Sequence, residues 1–237
     1  MYKSFLYRKI KKYKGDKNMG KEIVVKGVGS ASAKPDYVVI GLDLNTLNKD
    51  YQSALDESAR KLDEIYNALY KIGFEKENVK TTNFNVQTRY DSKRDSHGNY
   101  NRYFVGYSVI HNLKISFDFD TKQLGKVLAT VADCVAKPEM RINFTVKDPT
   151  AVSEQLLISA TENAKRKAEI LCQASNVRLG GIKHIDYNWG EINFYSNTSY
   201  TLDEECEMRC ASIAEIDIEP DDINLRDTVT FIWEIED

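Results

Sequence analysis

The side chains that most often carry out catalysis or bind metals are few in this chain and widely spaced. Histidine occurs at positions 97, 111 and 184, and cysteine at positions 134, 172, 206 and 210. Three residues separate Cys206 from Cys210, whereas common zinc and redox motifs place two residues between their cysteines. No serine or cysteine stands in a nucleophile-elbow motif. We therefore predict no catalytic residue, no metal site and no cofactor, and hence a protein that is not an enzyme.

Two further motifs have both a chemical and a structural interpretation. His111 lies on the apolar face of a predicted strand, where it is either a buried general base or, more commonly, an interior structural histidine. Gly27-Val28-Gly29 could belong to a phosphate-binding loop, but such loops lead directly into a helix. Here a strand follows after Pro35, so a bend or bulge in the first strand is the favoured interpretation.

Clustered acidic residues are another candidate site. Four carboxylates between positions 203 and 207, with Glu191 nearby, could provide paired carboxylates for hydrolysis or for binding a cation. Charge runs on loops are more often simply solvated. A small-molecule-binding, cation-binding or hydrolytic protein that uses the acidic segment 190–209 is therefore the alternative hypothesis.

Aromatic residues provide a stronger indication of function. The chain has fourteen tyrosines, and several aromatic residues fall in or beside two predicted long loops, 91–102 and 190–209. Tyrosine and tryptophan are enriched in protein interfaces because they combine a large apolar area with a polar tip. These residues either pack over the edge of their own sheet or contact neighbouring subunits. The predicted interface residues are Tyr90, Tyr100, Tyr103, Trp189, Phe194, Tyr195 and Tyr200.

The elements that position these residues follow from hydrophobic periodicity. Alternating apolar residues predict strands at 22–29, 37–47, 79–90, 103–119, 140–147, 182–189, 211–218 and 226–236. Helical spacing predicts helices over 51–72, from position 120 onward and from position 149 onward. The order ββαββαβαβββ, with several strands joined directly, predicts an α+β fold with three helices and largely antiparallel sheets. We expect residues 22–237 to form a single domain.

Local signals refine this arrangement. Asp50 and Asp120 are expected to cap the first two helices, and Gly73 is expected to end the first in a left-handed conformation. The strand over 103–119 is long enough that a bend or bulge is expected. Alanines four residues apart, at positions 160, 164 and 168, form a smooth ridge that predicts close packing of the third helix on a sheet.

Composition and charge exclude several classes of protein. No apolar stretch approaches the roughly 20 residues of a membrane helix, and the net charge of −3 provides no basic field for nucleic acid. Residues 1–18 carry seven basic groups and one acidic group, but no apolar segment follows them as in a signal peptide. We predict a disordered basic tail over 1–21, with membrane-surface contact by residues 1–18 as the alternative, and a cytoplasmic location with reduced thiols.

Several short motifs occur in an order that resembles the SIMPL-domain family across residues 22–236. They are Gly27 and Gly29 in the first strand, Lys34-Pro35-Asp36, Thr81-Thr82, Gly106-Tyr107, the alanine-rich helix around 164–168 and Pro220 before the last strand. The resemblance implies an α+β domain without an established enzymatic activity. Members of this family are linked to stress defence, to signalling through association with kinases, and to exported immunogenic proteins that form ring-like oligomers.

The resemblance and the aromatic loops together predict the kind of protein. We expect a non-enzymatic, stress-related SIMPL-like protein that acts as a homo-oligomer or as a protein-interaction module. Its predicted partners are further copies of the same chain or another protein, and not nucleic acid.

Overall fold

The computed structural model describes residues 21–94, 99–187, 192–202 and 218–237. Within these ranges the chain forms eight strands and three helices in two antiparallel sheets, an α+β fold that confirms the predicted order. The elements are β1 (Glu22–Ala33), β2 (Tyr37–Asn48), α1 (Tyr51–Lys71), β3 (Val79–Arg94), β4 (Tyr100–Asp118), α2 (Thr121–Ala132), β5 (Glu139–Thr145), α3 (Pro149–Ala174), β6 (Arg178–Asp186), β7 (Tyr195–Leu202) and β8 (Ile223–Glu236).

The chain divides into two compact units. The first, which we call the α3 unit, contains the described residues up to Ala31, those from Thr150 to Ile192 and those from Leu225 onward. The second, which we call the five-stranded unit, contains Ser32–Pro149 and the described residues of Asn193–Asn224. The prediction of a single domain over residues 22–237 stays a prediction.

Strand β2 is the centre of the five-stranded unit. The strand order is β3-β4-β2-β5-β7, so β2 pairs with β4 on one side and with β5 on the other. Because successive side chains of a strand point to opposite faces, every second residue of β2 faces the core. The core-facing apolar residues are almost completely inaccessible to solvent and comprise Val38, Ile40, Leu42 and Leu44.

Helices α1 and α2 contribute to the same core, and their termini follow the predicted signals. The Asp50 carboxylate accepts a hydrogen bond from the Ser53 backbone N–H at 2.8 Å, which caps α1. The Asp120 carboxylate accepts one from the Gln123 backbone N–H at 2.7 Å, which caps α2. Gly73 follows α1 with φ of 99°, so the left-handed ending is confirmed.

The Lys34-Pro35-Asp36 motif connects three strand ends through one residue. The Asp36 backbone N–H donates to the Thr145 carbonyl at 3.1 Å, and its carbonyl accepts from the Phe119 N–H at 2.8 Å. The Asp36 carboxylate accepts from the Lys147 backbone N–H at 2.8 Å. A single residue therefore ties the start of β2 to the end of β5 and to the connection between β4 and α2.

The glycines of β1 allow a very close approach of α3 in the α3 unit. A Cβ atom added to Gly27 would lie 2.0 Å from the Ala160 carbonyl oxygen, and one added to Gly29 would lie 2.2 Å from the Leu156 carbonyl oxygen. The predicted alanine ridge is confirmed, because Ala160 and Ala164 are buried at this contact. The expected bend or bulge is thus not what the glycine pair provides. It provides space for a helix backbone.

Three side chains of α3 also hydrogen-bond the backbone of β1. Lys167 Nζ donates to the Lys26 carbonyl at 3.1 Å, and the Val28 N–H donates to Asn163 Oδ1 at 3.0 Å. The Ser30 N–H donates to Ser159 Oγ at 3.2 Å. Four residues of helix rise about 6 Å and two residues of strand about 6.7 Å, so the two spacings match. These bonds satisfy the edge of β1 that does not pair with β8.

Several predicted boundaries are wrong. The segment 190–209 was expected to be a loop, but residues 195–202 form β7 and pair with β5. The loop expected over 91–102 is shorter, because β3 continues to Arg94 and β4 begins at Tyr100. The alternation of apolar and polar residues is weak in both segments, because their strands are largely solvent-exposed, so the sequence did not reveal the strands. The strand expected over 211–218 lies mainly outside the described residues, as does the tail over residues 1–20.

The helical spacing of apolar residues also predicts that Val135 and Leu171 lie on the apolar faces of the second and third helices, but both are exposed. Val135 lies beyond the end of α2 and is 81% exposed, because the helix ends at Ala132. Leu171 is half exposed, and Cys172 occupies the buried position on that turn of α3. The long strand β4 does contain the expected irregularity, since its register with β3 shifts between Arg89 and Tyr90.

We expect Gly27→Ala to lower the free energy of unfolding by about 3 kcal/mol, because the new methyl group would overlap the Ala160 carbonyl oxygen. Urea denaturation followed by circular dichroism would measure the change. Gly181→Ala is the matched control, because an added Cβ there meets no atom within 4 Å. Equal stability of the two variants would contradict the close-packing role of Gly27.

We expect Asp36→Ala to lower the free energy of unfolding by about 1 kcal/mol, since the Lys147 N–H loses its acceptor. The control is Asp118→Ala, which removes a solvent-exposed ion pair with the Lys147 side chain and should have a smaller effect. Thermal unfolding of both variants would compare them. A larger loss for Asp118→Ala would refute the assignment of Asp36 as the connecting residue.

Candidate functional site

The β3–β4 hairpin extends beyond the rest of its sheet. β3 pairs with β4 from Val79 opposite Ile115 to Arg94 opposite Tyr100. β2 pairs with β4 only from Tyr107 onward. Residues 89–94 and 100–106 therefore form a two-stranded segment, which we call the aromatic ribbon. Two-stranded segments have marginal stability on their own, so side-chain contacts must support this one.

A line of aromatic rings runs along one face of the aromatic ribbon. The Tyr51 ring, at the start of α1, lies 5.4 Å from the Tyr107 ring, which lies 5.3 Å from Phe104. Phe104 lies 5.7 Å from Tyr90, and all three pairs meet edge to face. The Arg102 guanidinium lies 4.3 Å from the Tyr90 ring centre. Each such ring pair contributes about 0.5–1.5 kcal/mol beyond the burial of its area.

The opposite face of the aromatic ribbon carries a tyrosine–carboxylate pair. The Tyr103 hydroxyl donates to Asp91 Oδ2 at 3.3 Å, and the Ser92 backbone N–H donates to Asp91 Oδ1 at 2.7 Å. The negative charge of Asp91, more than desolvation or the hydrogen bond, raises the pKa of the Tyr103 hydroxyl. Tyr103 therefore remains a neutral hydrogen-bond donor, and it has no property of an activated base.

Large aromatic side chains on and beside the aromatic ribbon remain in solvent. Tyr100, at the start of β4, is 74% exposed, and Phe84, further along β3, is 52% exposed. Tyr90, Tyr103 and Phe104 are each more than 40% exposed. Exposed aromatic side chains grouped in this way, with Tyr90 and Phe104 on one face and Tyr103 on the other, are typical of a surface that contacts another protein. Within the part of the chain that the structure describes, no element covers these rings.

The other predicted interface residues lie at the opposite edge of the same sheet. Tyr195 begins β7, and Tyr200 lies in β7 with its ring 6.3 Å from Phe144. The Phe194 carbonyl accepts a hydrogen bond from Thr145 Oγ1 at 2.7 Å. Trp189 lies outside the described residues. The structure thus places the predicted residues in two groups, with β4, β2 and β5 between the two edge strands.

His111 is the buried titratable group nearest to the exposed rings. It is 6% exposed, and its Nε2 lies 3.0 Å from Thr81 Oγ1. The Phe84 ring covers it edge to face at 5.1 Å. Burial lowers the pKa of His111, because water can no longer stabilise the charged ring. This arrangement is that of a neutral structural histidine, paired with a side chain of the edge strand β3.

The described cysteines do not have the properties of nucleophiles. Cys134 and Cys172 are both buried free thiols. Burial, assisted by the nearby Glu64 and Asp133 carboxylates, raises the pKa of Cys134 to about 11. Its thiol donates to the Thr130 carbonyl at 3.3 Å. Because the reactive form of cysteine is the thiolate, Cys134 is unreactive at neutral pH.

The remaining candidate groups give no assembled site. Among residues 21–94, 99–187, 192–202 and 218–237, no three His, Cys, Asp or Glu side chains are grouped to hold a metal ion. The carboxylates at 203–207, Glu191, Cys206 and Cys210 lie outside these ranges. No helix in the described part of the chain is long and apolar enough to cross a membrane. The predictions of no enzyme, no metal and no cofactor stay predictions.

Sequence reasoning missed Phe104 in the aromatic ribbon and Phe84 beside it. The alternation of strand 79–90 places Phe84 on a strand face, but this pattern does not reveal that no helix covers it. Phe104 was missed because the register shift near Tyr90 brings it onto the same face as Tyr107. Gly106, which the sequence offered only as part of the Gly106-Tyr107 motif, has a structural reason at the same place. A Cβ atom there would lie 2.5 Å from the Asn48 carbonyl oxygen, so only glycine lets β2 end beside the ribbon.

The fold and its motifs define an α+β protein of the SIMPL type. A family model described as "SIMPL: Protein of unknown function (DUF541)" matches residues 23–233. This match covers most of the chain, so the chain belongs to the SIMPL family and the predicted resemblance is confirmed.

Curated relatives match over about two thirds of their length. The chain is 26% identical to the 26 kDa periplasmic immunogenic protein of Brucella melitensis over 163 residues, covering 69% of this chain and 65% of that protein. It is 25% identical to the protein of the same name from Brucella abortus, with the same coverage. It is 22% identical to the uncharacterized protein YggE of Escherichia coli over 173 residues, covering 71% of this chain and 66% of that protein.

The prediction of a cytoplasmic location is wrong. The Brucella relatives are named as periplasmic proteins, which contradicts it. The prediction relied on residues 1–18, and these lie outside the family match that begins at residue 23. The expectation of reduced thiols rested on the same argument and loses its basis.

We expect the free energy of unfolding to fall as the pH drops below about 6.5, because unfolded histidine gains a proton there while folded His111 resists protonation. The lowered pKa of folded His111 means that its contribution is present above this pH and lost below it. Denaturant titrations at neutral and mildly acidic pH would measure the slope.

The control is His111→Gln, which keeps a polar side chain within reach of the Thr81 hydroxyl but does not titrate in this range. Its stability should depend less on pH over the same interval. Identical pH dependence in the two proteins would refute the assignment of His111 as a buried neutral histidine.

Proposed function

We propose that this SIMPL-family chain acts as a non-enzymatic homo-oligomer or protein-interaction module that uses its aromatic ribbon as the contact surface. The observation that carries the proposal is the line of rings from Tyr51 to Tyr90, in which Tyr51, Phe104 and Tyr90 are each more than 40% exposed and the last two lie on the two-stranded segment. Burying such rings against another subunit removes apolar area from water, which is the main favourable term in protein association.

The stability of the hairpin supports the same conclusion. Among the described strands, β3 and β4 form ladder pairs only with each other in this distal part, so a neighbouring subunit would supply further packing. The Arg102 guanidinium above Tyr90 adds a second type of side chain common in interface centres. Tyrosine and arginine are among the residues that most often dominate the energetics of an interface.

The chemistry of the buried groups supports a non-enzymatic role. His111 is desolvated and bonded to Thr81, and the Cys134 thiol is protonated at neutral pH. Neither side chain faces a partner that would activate it for proton transfer or nucleophilic attack. The acidic segment of the alternative hypothesis lies outside the described residues, so no specific contact favours a hydrolytic or cation-binding function.

The proposal places the protein in the periplasm. The support is that the two Brucella relatives, which are 26% and 25% identical to this chain, are named as periplasmic proteins. A stress-related role belongs to the same proposal and rests on the family resemblance alone. Fractionation of cells that express the full-length protein would test the location.

We expect wild-type protein to have a mass that is a multiple of its 27.1 kDa chain in size-exclusion chromatography with light scattering. Combining Tyr90→Ser with Tyr100→Ser should raise the dissociation constant by about tenfold or more, because two exposed rings of the ribbon leave the contact. Tyr70→Ser is the matched control. Tyr70 is 71% exposed, like Tyr100, but lies on α1 away from the ribbon.

A strictly monomeric wild-type protein at high micromolar concentration would overturn the oligomer proposal. Equal masses for the ribbon variant and the wild-type protein would show that the contact lies elsewhere. Circular dichroism of each variant would establish that a lower mass does not come from unfolding.

A further inference from the structure

Strand β3 is an open edge of the five-stranded sheet. It has sixteen residues, and Val79 alone among them is buried. β4 is the strand that pairs with it, so from Lys80 to Lys93 the backbone groups along the other side of β3 have no strand partner within the described residues. This contrasts with β1, whose outer edge is hydrogen-bonded by side chains of α3. An open edge of this length can accept another chain.

The charge of β3 restricts which chain it can accept. The strand contains the basic residues Lys80, Arg89, Lys93 and Arg94 and the single acidic residue Asp91, a net charge of +3. Like charges on facing strands are destabilising, so two copies of β3 would repel one another. The edge therefore favours a surface of opposite charge.

The opposite edge of the same sheet has that opposite charge. β7 contains no ionisable side chain apart from its two tyrosines. The turn before β8 lies beside it, because Ser196 Oγ donates to the Asp221 carbonyl at 2.7 Å and the Asp221 N–H donates to Thr198 Oγ1 at 3.0 Å. This contact holds three carboxylates at the β7 edge, those of Glu219, Asp221 and Asp222.

The three carboxylates lie in an open cleft. They line this cleft of about 610 Å³ together with Tyr200 and Phe119. Lys34 lies in the same cleft. The acidic and basic side chains that line the cleft are therefore three carboxylates and one ammonium group. The β7 edge is therefore negative and aromatic, whereas the β3 edge is positive and aromatic.

We propose that copies of this chain associate head to tail, with the β3 edge and aromatic ribbon of one copy against the acidic β7 edge of the next. The inference rests on the proposed function, because it requires that the chain forms homo-oligomers. Two different edges make a heterologous contact, which generates a closed ring or an open filament depending on the rotation between copies. It also brings both groups of predicted interface tyrosines into one contact.

The test reverses the charge of each edge in the full-length chain. One variant combines Arg89→Glu with Lys93→Glu, and a second combines Glu219→Lys with Asp222→Lys. We expect each variant alone to lose association by about tenfold or more in its dissociation constant, because its two edges then carry charges of the same sign. Light scattering at low and high salt would measure the mass of each.

Two rescue experiments distinguish a specific contact from general damage. A chain that carries all four substitutions has complementary edges again and should regain the wild-type mass. An equimolar mixture of the two variants should also assemble, since each edge then finds an opposite charge on the other chain. Lys126→Glu with Lys122→Glu, on the exposed surface of α2, is the matched control for charge alone and should assemble normally.

The outcomes separate this inference from the proposed function. If wild-type protein is monomeric, the homo-oligomer proposal fails and this inference fails with it. If wild-type protein assembles but neither rescue restores the mass, the head-to-tail contact is wrong and the oligomer proposal stands. If the acidic-edge variant keeps the wild-type mass while the β3 variant loses it, β3 contacts a surface other than the acidic β7 edge, which also overturns the inference.

Discussion

The limited length of strand β2 is the constraint on which the exposed surface of this protein depends. β2 has twelve residues, and its alternating apolar side chains form the centre of the core beneath α1 and α2. Its neighbour β4 has nineteen residues, so seven of them continue past β2 for about 24 Å. A hairpin that extends beyond its core cannot bury both of its faces. The aromatic ribbon is the direct consequence.

The two units differ in what covers the strand edges that have no neighbouring strand. In the α3 unit, Gly27 and Gly29 let the helix backbone approach so closely that its side chains reach the edge of β1. In the five-stranded unit, β3 has no such cover from the described elements, and lysine and arginine are spread along it. Positive charge on an edge prevents pairing between like strands while it permits a partner of opposite charge. The open edge of β3 therefore disfavours a second β3 strand and favours a partner of opposite charge.

Much of the fold could be predicted because its signals are local. The helix caps at Asp50 and Asp120, the left-handed Gly73 and the order of elements each depend on residues close together in the chain. The family could be recognised from motifs whose structural reasons are now visible, such as Gly106 beside the Asn48 carbonyl. The cytoplasmic location was wrong: it was inferred from residues 1–18 alone, whereas the Brucella relatives are named as periplasmic proteins.

The amino-acid sequence by itself determined the three helices and most of the strands, since alternation, helical spacing and capping act over a few positions, but it did not determine strand β7. It also showed that tyrosines cluster at 90–103 and 195–200, in or beside segments that were predicted to be loops. Only the tertiary structure decided that these tyrosines belong to strands at opposite edges of one sheet, and that Phe84 and Phe104 join them. The physical reason is that solvent exposure depends on which elements pack above a residue. That packing joins residues far apart in the chain, such as Tyr51 and Tyr107, and no local pattern records it.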